Sequence, residues 1–199
     1  MIAIIDYGMG NLGSVKNALD SLKIESIITS NISDIKKADK LILPGVGAFK
    51  EAMDNLSKLN LIDVIKEEVK NGKPILGICL GMQLLFSSSE EYGLTNGLNV
   101  LKGRIVHFKE NGLKIPHMGW NNLTIPSNTF LFKGLTNPYV YFVHSYHLVD
   151  TSNEYKLTYT NYGYDFVCAV EYKNIFATQF HPEKSGDIGL KILKNFGDL

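Results

Sequence analysis

The stretch Pro74-Ile75-Leu76-Gly77-Ile78-Cys79-Leu80-Gly81-Met82-Gln83 constrains this chain more than any other. A short apolar strand (Ile75, Leu76, Ile78) runs into a tight turn at Cys79. An apolar helix (Met82, Leu84, Leu85, Phe86) follows at once. Gly77 and Gly81 frame the cysteine where strand and helix backbones must come close, so a Cβ at either position would collide. This is the pattern of a nucleophile elbow with cysteine in place of serine. A thiol at a helix N-terminus faces free N–H groups and the positive end of the macrodipole, which favour the thiolate. Most buried cysteines are inert small hydrophobes. The paired glycines and the strand–turn–helix context favour a nucleophile here.

An elbow of this kind needs a parallel sheet around it, and the first half of the chain supplies one. Strands are expected at Ile2 to Asp6, Ser26 to Thr29, Lys40 to Leu43 and Ile75 to Ile78. Helices are expected at Asn11 to Leu22, Ala48 to Leu59 and Leu61 to Lys70. Short apolar strands alternating with helices imply right-handed crossovers and a sheet covered on both faces. The second half changes character, with strand candidates at Arg104 to Phe108, Asn122 to Ile125, Tyr139 to Val143, Lys156 to Thr160, Phe166 to Glu171 and Ile175 to Phe180. Turn signals such as Asn111-Gly112 and Asn137-Pro138 separate them. A closing helix is expected at Ile188 to Phe196. The fold class is therefore α/β, with a doubly wound, mostly parallel central sheet and antiparallel additions in the C-terminal half. No linker or repeat divides residues 1–199, so one domain is expected.

Bulk properties remove several classes of function. The net charge is zero and there is no basic stripe, so a nucleic-acid or anionic-membrane partner has no electrostatic support. No apolar run approaches the roughly 20 residues needed to span a bilayer. The first residues lack the basic start of a signal peptide and read as a buried strand. The two cysteines could pair, but a disulfide would destroy the proposed nucleophile, so a reducing cytoplasm is expected.

A cysteine nucleophile needs a base, and the base needs an orienting group. Gln179-Phe180-His181-Pro182-Glu183 offers both: a strand ends near His181, Pro182 stops it, and Glu183 can hold one imidazole nitrogen while the other faces the thiol. His144 and His147, three apart, could suit a metal, but no Cys or carboxylate cluster completes a site, and none is expected. His107 reads as an ordinary surface or satisfied residue. In Pro44-Gly45-Val46-Gly47-Ala48-Phe49 the glycines let backbone N–H groups turn towards a ligand before a helix start, as an oxyanion hole requires. Asp6-Tyr7-Gly8-Met9-Gly10-Asn11 has the wrong glycine pattern for a dinucleotide loop.

Together these motifs resemble the class I (triad-type) glutamine amidotransferases, over essentially the whole chain. Within that family the likeness is greatest to the glutaminase subunits that serve histidine biosynthesis. It is carried by Asp6 to Leu12, Leu43 to Phe49, Pro116 to Asn121, Tyr141 to Tyr146 and Gln179 to Ser185, in addition to the elbow. The resemblance implies that Cys79 attacks the side-chain amide of glutamine, that His181 is the base and Glu183 orients it. It implies an oxyanion hole of backbone N–H groups around Gly45, Val46 and Leu80, and substrate contacts from Gly47, Gln83 and Ser145. No cofactor is implied. The implied partner is a cyclase subunit with a (β/α)8 barrel, of HisF type, in a heterodimer that channels ammonia, with Asn11, Met118, Trp120 and Lys184 facing it. Two alternatives stay open from sequence: the same chemistry serving a paralogous barrel of surface-sugar biosynthesis, and a thiol hydrolase or non-catalytic subunit on the same fold.

Overall fold

The computed structural model describes residues 1–110 and 112–199; Asn111, half of the expected Asn111-Gly112 turn, lies outside the described residues. In the first half, β1 (Ile2–Ile5), β2 (Ser26–Thr29), β3 (Lys40–Leu43) and β4 (Ile75–Ile78) are all parallel, in the order β2-β1-β3-β4. The connecting helices are α1 (Leu12–Ser21), α2 (Ile32–Lys37), α3 (Phe49–Lys58) and α4 (Leu61–Lys70). Then come α5 (Leu80–Leu84), the two-residue strands β5 (Ser88–Ser89) and β6 (Thr95–Asn96), and β7 (Arg104–His107).

Alternate residues of the central strands enter two separate cores. Ala3, Ile5, Leu41, Leu43 and Ile75 pack under α2, α3 and α4 through Ile35, Ala52, Leu56, Leu61 and Ile65. Ile2, Ile4, Ile42, Leu76 and Ile78 face the other way, against Val15 and Leu19 of α1 and against Ile192, Leu193 and Phe196 of the closing helix. The period-two side-chain alternation of a strand thus feeds helices on both faces. That is the doubly wound arrangement the sequence implied. Asn60, in the left-handed region (φ 56°), separates α3 from α4. The short α2 was not anticipated. Its sequence signal is a helix-start one: the Asn31 side chain accepts from the Ser33 N–H at 2.8 Å.

The remaining elements are β8 (His117–Asn122), β9 (Tyr139–His144), β10 (Tyr146–Val149), β11 (Lys156–Asn161), β12 (Asp165–Tyr172), β13 (Ile175–Thr178) and α6 (Gly186–Gly197). β12 lies antiparallel to β10, β11 and β13, and β7 antiparallel to β10. These are the antiparallel additions expected of this half, with three corrections. The strand expected at Asn122 to Ile125 lies earlier, as β8, and only Thr124 beyond it bridges to Tyr159. β8 and β9 pair with each other as a separate two-stranded sheet. His-Met-Gly-Trp-Asn-Asn has little strand propensity, and cross-strand pairing decides its state. Finally, β13 ends at Thr178 and runs parallel to β4. The chain leaves the sheet there, so that the His181 N–H meets the Tyr141 carbonyl of β9 at 3.0 Å.

Candidate active site

β3, β4 and β13 are adjacent and parallel, so their C-terminal ends bring three distant segments to one edge of the sheet. Those segments are the turn at Pro44-Gly45, the elbow at Cys79 and the run from Gln179 to Glu183. Cys79 sits at φ 54°, ψ −110°, a conformation that costs an L residue on the order of 1–3 kcal/mol. Its own N–H is held by the Thr178 carbonyl at 2.7 Å. The framing glycines are required for the expected reason. A Cβ on Gly77 would lie 2.8 Å from the Gly81 carbonyl oxygen, and one on Gly81 would fall onto the Leu43 carbonyl.

His181 and Glu183 come together as the sequence suggested. His181 Nδ1 lies 2.8 Å from Glu183 Oε1, with both side chains buried. Among the described residues, the buried His181 Nε2 meets no nitrogen or oxygen partner. The group its proton interacts with is the Cys79 sulfur. Burial works against an imidazolium here. Hydrogen bonds to Cys79 and Glu183, and the charges of both, outweigh it and raise His181 to about 10. The arrangement therefore favours the imidazolium form of His181. Ser185 fixes this corner: its hydroxyl donates to the His181 carbonyl at 2.6 Å and accepts from the Tyr141 N–H at 3.0 Å.

A cleft of about 420 Å³ opens over the sulfur. Val46, Gly47, Leu80, Gln83 and Ser145 line it together with Cys79 and His181, so the expected substrate residues share one cavity. One of the expected oxyanion donors, the Leu80 N–H, is engaged in this conformation. The Leu80 N–H donates to the Gly45 carbonyl at 3.3 Å, so Gly45 presents an acceptor to the elbow where a donor was expected.

Met118 and Trp120 are exposed on one face of the β8–β9 hairpin, with Trp120 edge-on to Tyr141. Lys184 is exposed in the turn after His181, and half-buried Asn11 immediately precedes α1, which packs on that turn. His107 is exposed, with its ring edge-on to Tyr146 at the wall of the cleft. His144 and His147 are not placed as a metal pair. His144 Nε2 pairs with His117 Nδ1 at 3.0 Å, while His147 Nε2 bonds the Tyr164 hydroxyl at 2.9 Å. Burial lowers His117 to about 4 and His144 to about 3. Cys168 is buried in β12, where its carbonyl accepts from the Gln179 N–H at 2.8 Å; burial pushes its thiol up, and Sγ donates to the Thr158 carbonyl at 3.4 Å.

Four residues of the site escaped the sequence reading as functional. The buried Tyr7 hydroxyl donates to the Pro44 carbonyl at 2.8 Å, and burial followed by the nearby Cys79 charge pushes its ionisation well up. Glu91 lines the cleft and accepts from the Phe49 N–H at the start of α3 at 2.6 Å. Ser185 and Gln179 are the others. Only their place beside His181 in sequence hinted at them.

The chain matches the model of the family described as Glutamine amidotransferase class-I over residues 3–198. It is 51% identical over 200 residues to a protein of Caldanaerobacter subterraneus subsp. tengcongensis named imidazole glycerol phosphate synthase subunit HisH, covering 100% of this chain and 98% of that one. The protein of the same name from Sulfurimonas denitrificans is 51% identical over 98% of this chain and 97% of its own. Among solved structures, a glutamine amidotransferase superposes with a TM-score of 0.78 at 20% identity, covering 99% of this chain and 100% of that one, a likeness of fold. With an elbow cysteine, a buried His–Glu pair beside it and a family match along nearly its whole length, the chain belongs to the class I glutamine amidotransferases.

Proposed function

We propose that this chain is the glutaminase subunit of an imidazole glycerol phosphate synthase, and that Cys79, His181 and Glu183 form its triad. The observation that carries the chemistry is the buried His181–Glu183 pair aimed at a cysteine held at positive φ. Half-identity along the full length to subunits of that name supports the pathway.

The geometry suggests the following course. The Cys79 thiolate attacks the side-chain carbonyl carbon of glutamine, and the carbonyl π electrons move onto oxygen. The imidazolium of His181 gives its proton to the departing amide nitrogen, the C–N bond breaks, and ammonia leaves a γ-glutamyl thioester. Neutral His181 then takes a proton from water, hydroxide adds to the thioester, and glutamate leaves as the thiolate is restored. Glu183 holds the imidazole tautomer and balances its charge throughout.

The oxyanion formed at each addition needs donors. Rotating the single Gly45–Val46 peptide would withdraw the Gly45 carbonyl, free the Leu80 N–H and present the Val46 N–H in its place. Flanking Gly45 and Gly47 (φ 97°) lower the conformational cost of that rotation. A partner barrel that favours the rotated form would activate the glutaminase, and the exposed Met118–Trp120 face beside the cleft is where such a cyclase would sit. Ammonia would then pass to it without meeting solvent. Both cysteines are free, and among the described residues no helix is long and apolar enough to cross a membrane.

The test is glutamate release from glutamine by the purified chain, alone and with the histidine-pathway cyclase barrel of the same organism plus its ribotide ligand. Strong stimulation that Cys79→Ala abolishes is expected. A barrel that works on free ammonia yet never stimulates this chain would exclude the pathway assignment.

A further inference from the structure

The sulfur of Cys79 is faced by few groups, and one has had no role so far. The Val143 carbonyl lies 4.0 Å away, His181 couples to the sulfur from the end of β13, and Tyr7 senses its charge from behind β1. Glu183 stands behind His181. The remaining group is Gln179, fully buried, whose Nε2 lies 3.7 Å from Sγ.

Its orientation follows from hydrogen-bond chemistry alone. The Tyr146 carbonyl can only accept. It receives His144 Nδ1 at 2.8 Å and the Gln83 side-chain amide at 3.3 Å, so the Gln83 atom facing it is nitrogen. That same Gln83 nitrogen lies 3.0 Å from the Gln179 amide, which must present oxygen there. The Gln179 nitrogen is thereby turned to the sulfur. Flipping Gln179 alone would set two donors against each other at Gln83, and flipping both amides would set two acceptors against each other at Tyr146. Parallel pairing explains why Gln179 is in reach: Thr178 registers with Ile78, so the next residues on each strand, Gln179 and Cys79, leave the sheet side by side.

We propose that Gln179 is a further catalytic residue, its Nε2–H donating to the Cys79 thiolate while Gln83 locks the amide in that orientation. This rests on the reading of Cys79 as the nucleophile. An N–H donor strengthens markedly when its acceptor is charged, so the bond selects thiolate over thiol. The sulfur is charged before attack and again when the thioester breaks, and neutral between. Gln179 therefore raises the thiolate population at neutral pH and makes the sulfur a better leaving group in deacylation.

The test is the pH dependence of iodoacetamide alkylation of Cys79 in the full chain, with the modified site located by mass spectrometry and buried Cys168 as internal control. Thermal unfolding of each variant is followed in parallel. Gln179→Leu should raise the alkylation midpoint by about one pH unit, with the wild-type rate recovered at alkaline pH. Gln179→Glu should raise it further, because a carboxylate repels the thiolate. If Gln179→Leu does not fold, Gln179→Met keeps an unbranched chain without the donor. A folded donor-free variant with the wild-type midpoint overturns the proposal. Retained glutamate release by Cys79→Ala would instead overturn the nucleophile assignment beneath it.

Discussion

The Leu80 N–H donates to the Gly45 carbonyl at 3.3 Å, tying the start of the elbow helix to the turn after β3. On the roles proposed here, nucleophile and base are thus assembled while the Leu80 donor is occupied. Alkylation of Cys79 forms no oxyanion and should proceed readily in the free chain. Glutamine turnover, which does form one, should be slower by roughly a hundredfold or more than in the complex with its barrel. Alkylation rate and steady-state kcat, each measured with and without the partner, check this; equal stimulation of both would contradict it.

The His181 value sets an alkaline limit. Its folded pKa lies above its unfolded one, so His181 keeps its proton until pH rises through about 10. The same proton contributes stability that is complete below the unfolded value and is lost as pH rises through the folded one. The alkaline limb of kcat/KM should lie near pH 10, and Glu183→Gln should move it to lower pH by removing one of the stabilising partners. A pH–rate profile of the two proteins measures it.

His117 and His144 act in the opposite sense. Burial lowers both, so below about pH 6.5 the unfolded chain binds protons that the folded chain refuses. Stability should fall with decreasing pH between about 6.5 and 4, at up to about 1.4 kcal/mol per pH unit for each imidazole. Urea midpoints across that range should show the slope, and His117→Gln should flatten it.

Gly81→Ala should be among the most damaging single-methyl changes in the chain. Its Cβ would land on the Leu43 carbonyl, which β3 holds in the sheet and which cannot retreat. The expected loss is at or above the roughly 3 kcal/mol typical of severe overpacking. Gly13→Ala, whose Cβ meets nothing within 4 Å, is the matched control. Urea denaturation of the pair decides it.

Ser185→Ala should cost about 1 kcal/mol, because the half-buried Tyr141 N–H loses its acceptor. It should also lower kcat more than it raises KM, since the hydroxyl fixes the backbone that carries His181 rather than touching the cleft. Denaturation and steady-state kinetics on one preparation separate the two effects.

The sequence by itself determined the elbow, the parallel half of the sheet and the pairing of His181 with Glu183. Each is written in local signals: framing glycines, uninterrupted apolar strands fixed by burial on both faces, and a two-residue spacing stiffened by Pro182. Tertiary structure decided the rest. β8 has little propensity of its own and is a strand because β9 pairs with it. Gln179 stands beside Cys79 because β13 registers with β4 across 100 residues of chain, and its amide orientation is set by Gln83 and the Tyr146 carbonyl. Gly45 turns its carbonyl, not an N–H, to Leu80. A glycine makes either orientation accessible, and only the packed surroundings select one. Local sequence fixes what depends on near neighbours; long-range register and hydrogen-bond polarity arise only when distant segments meet.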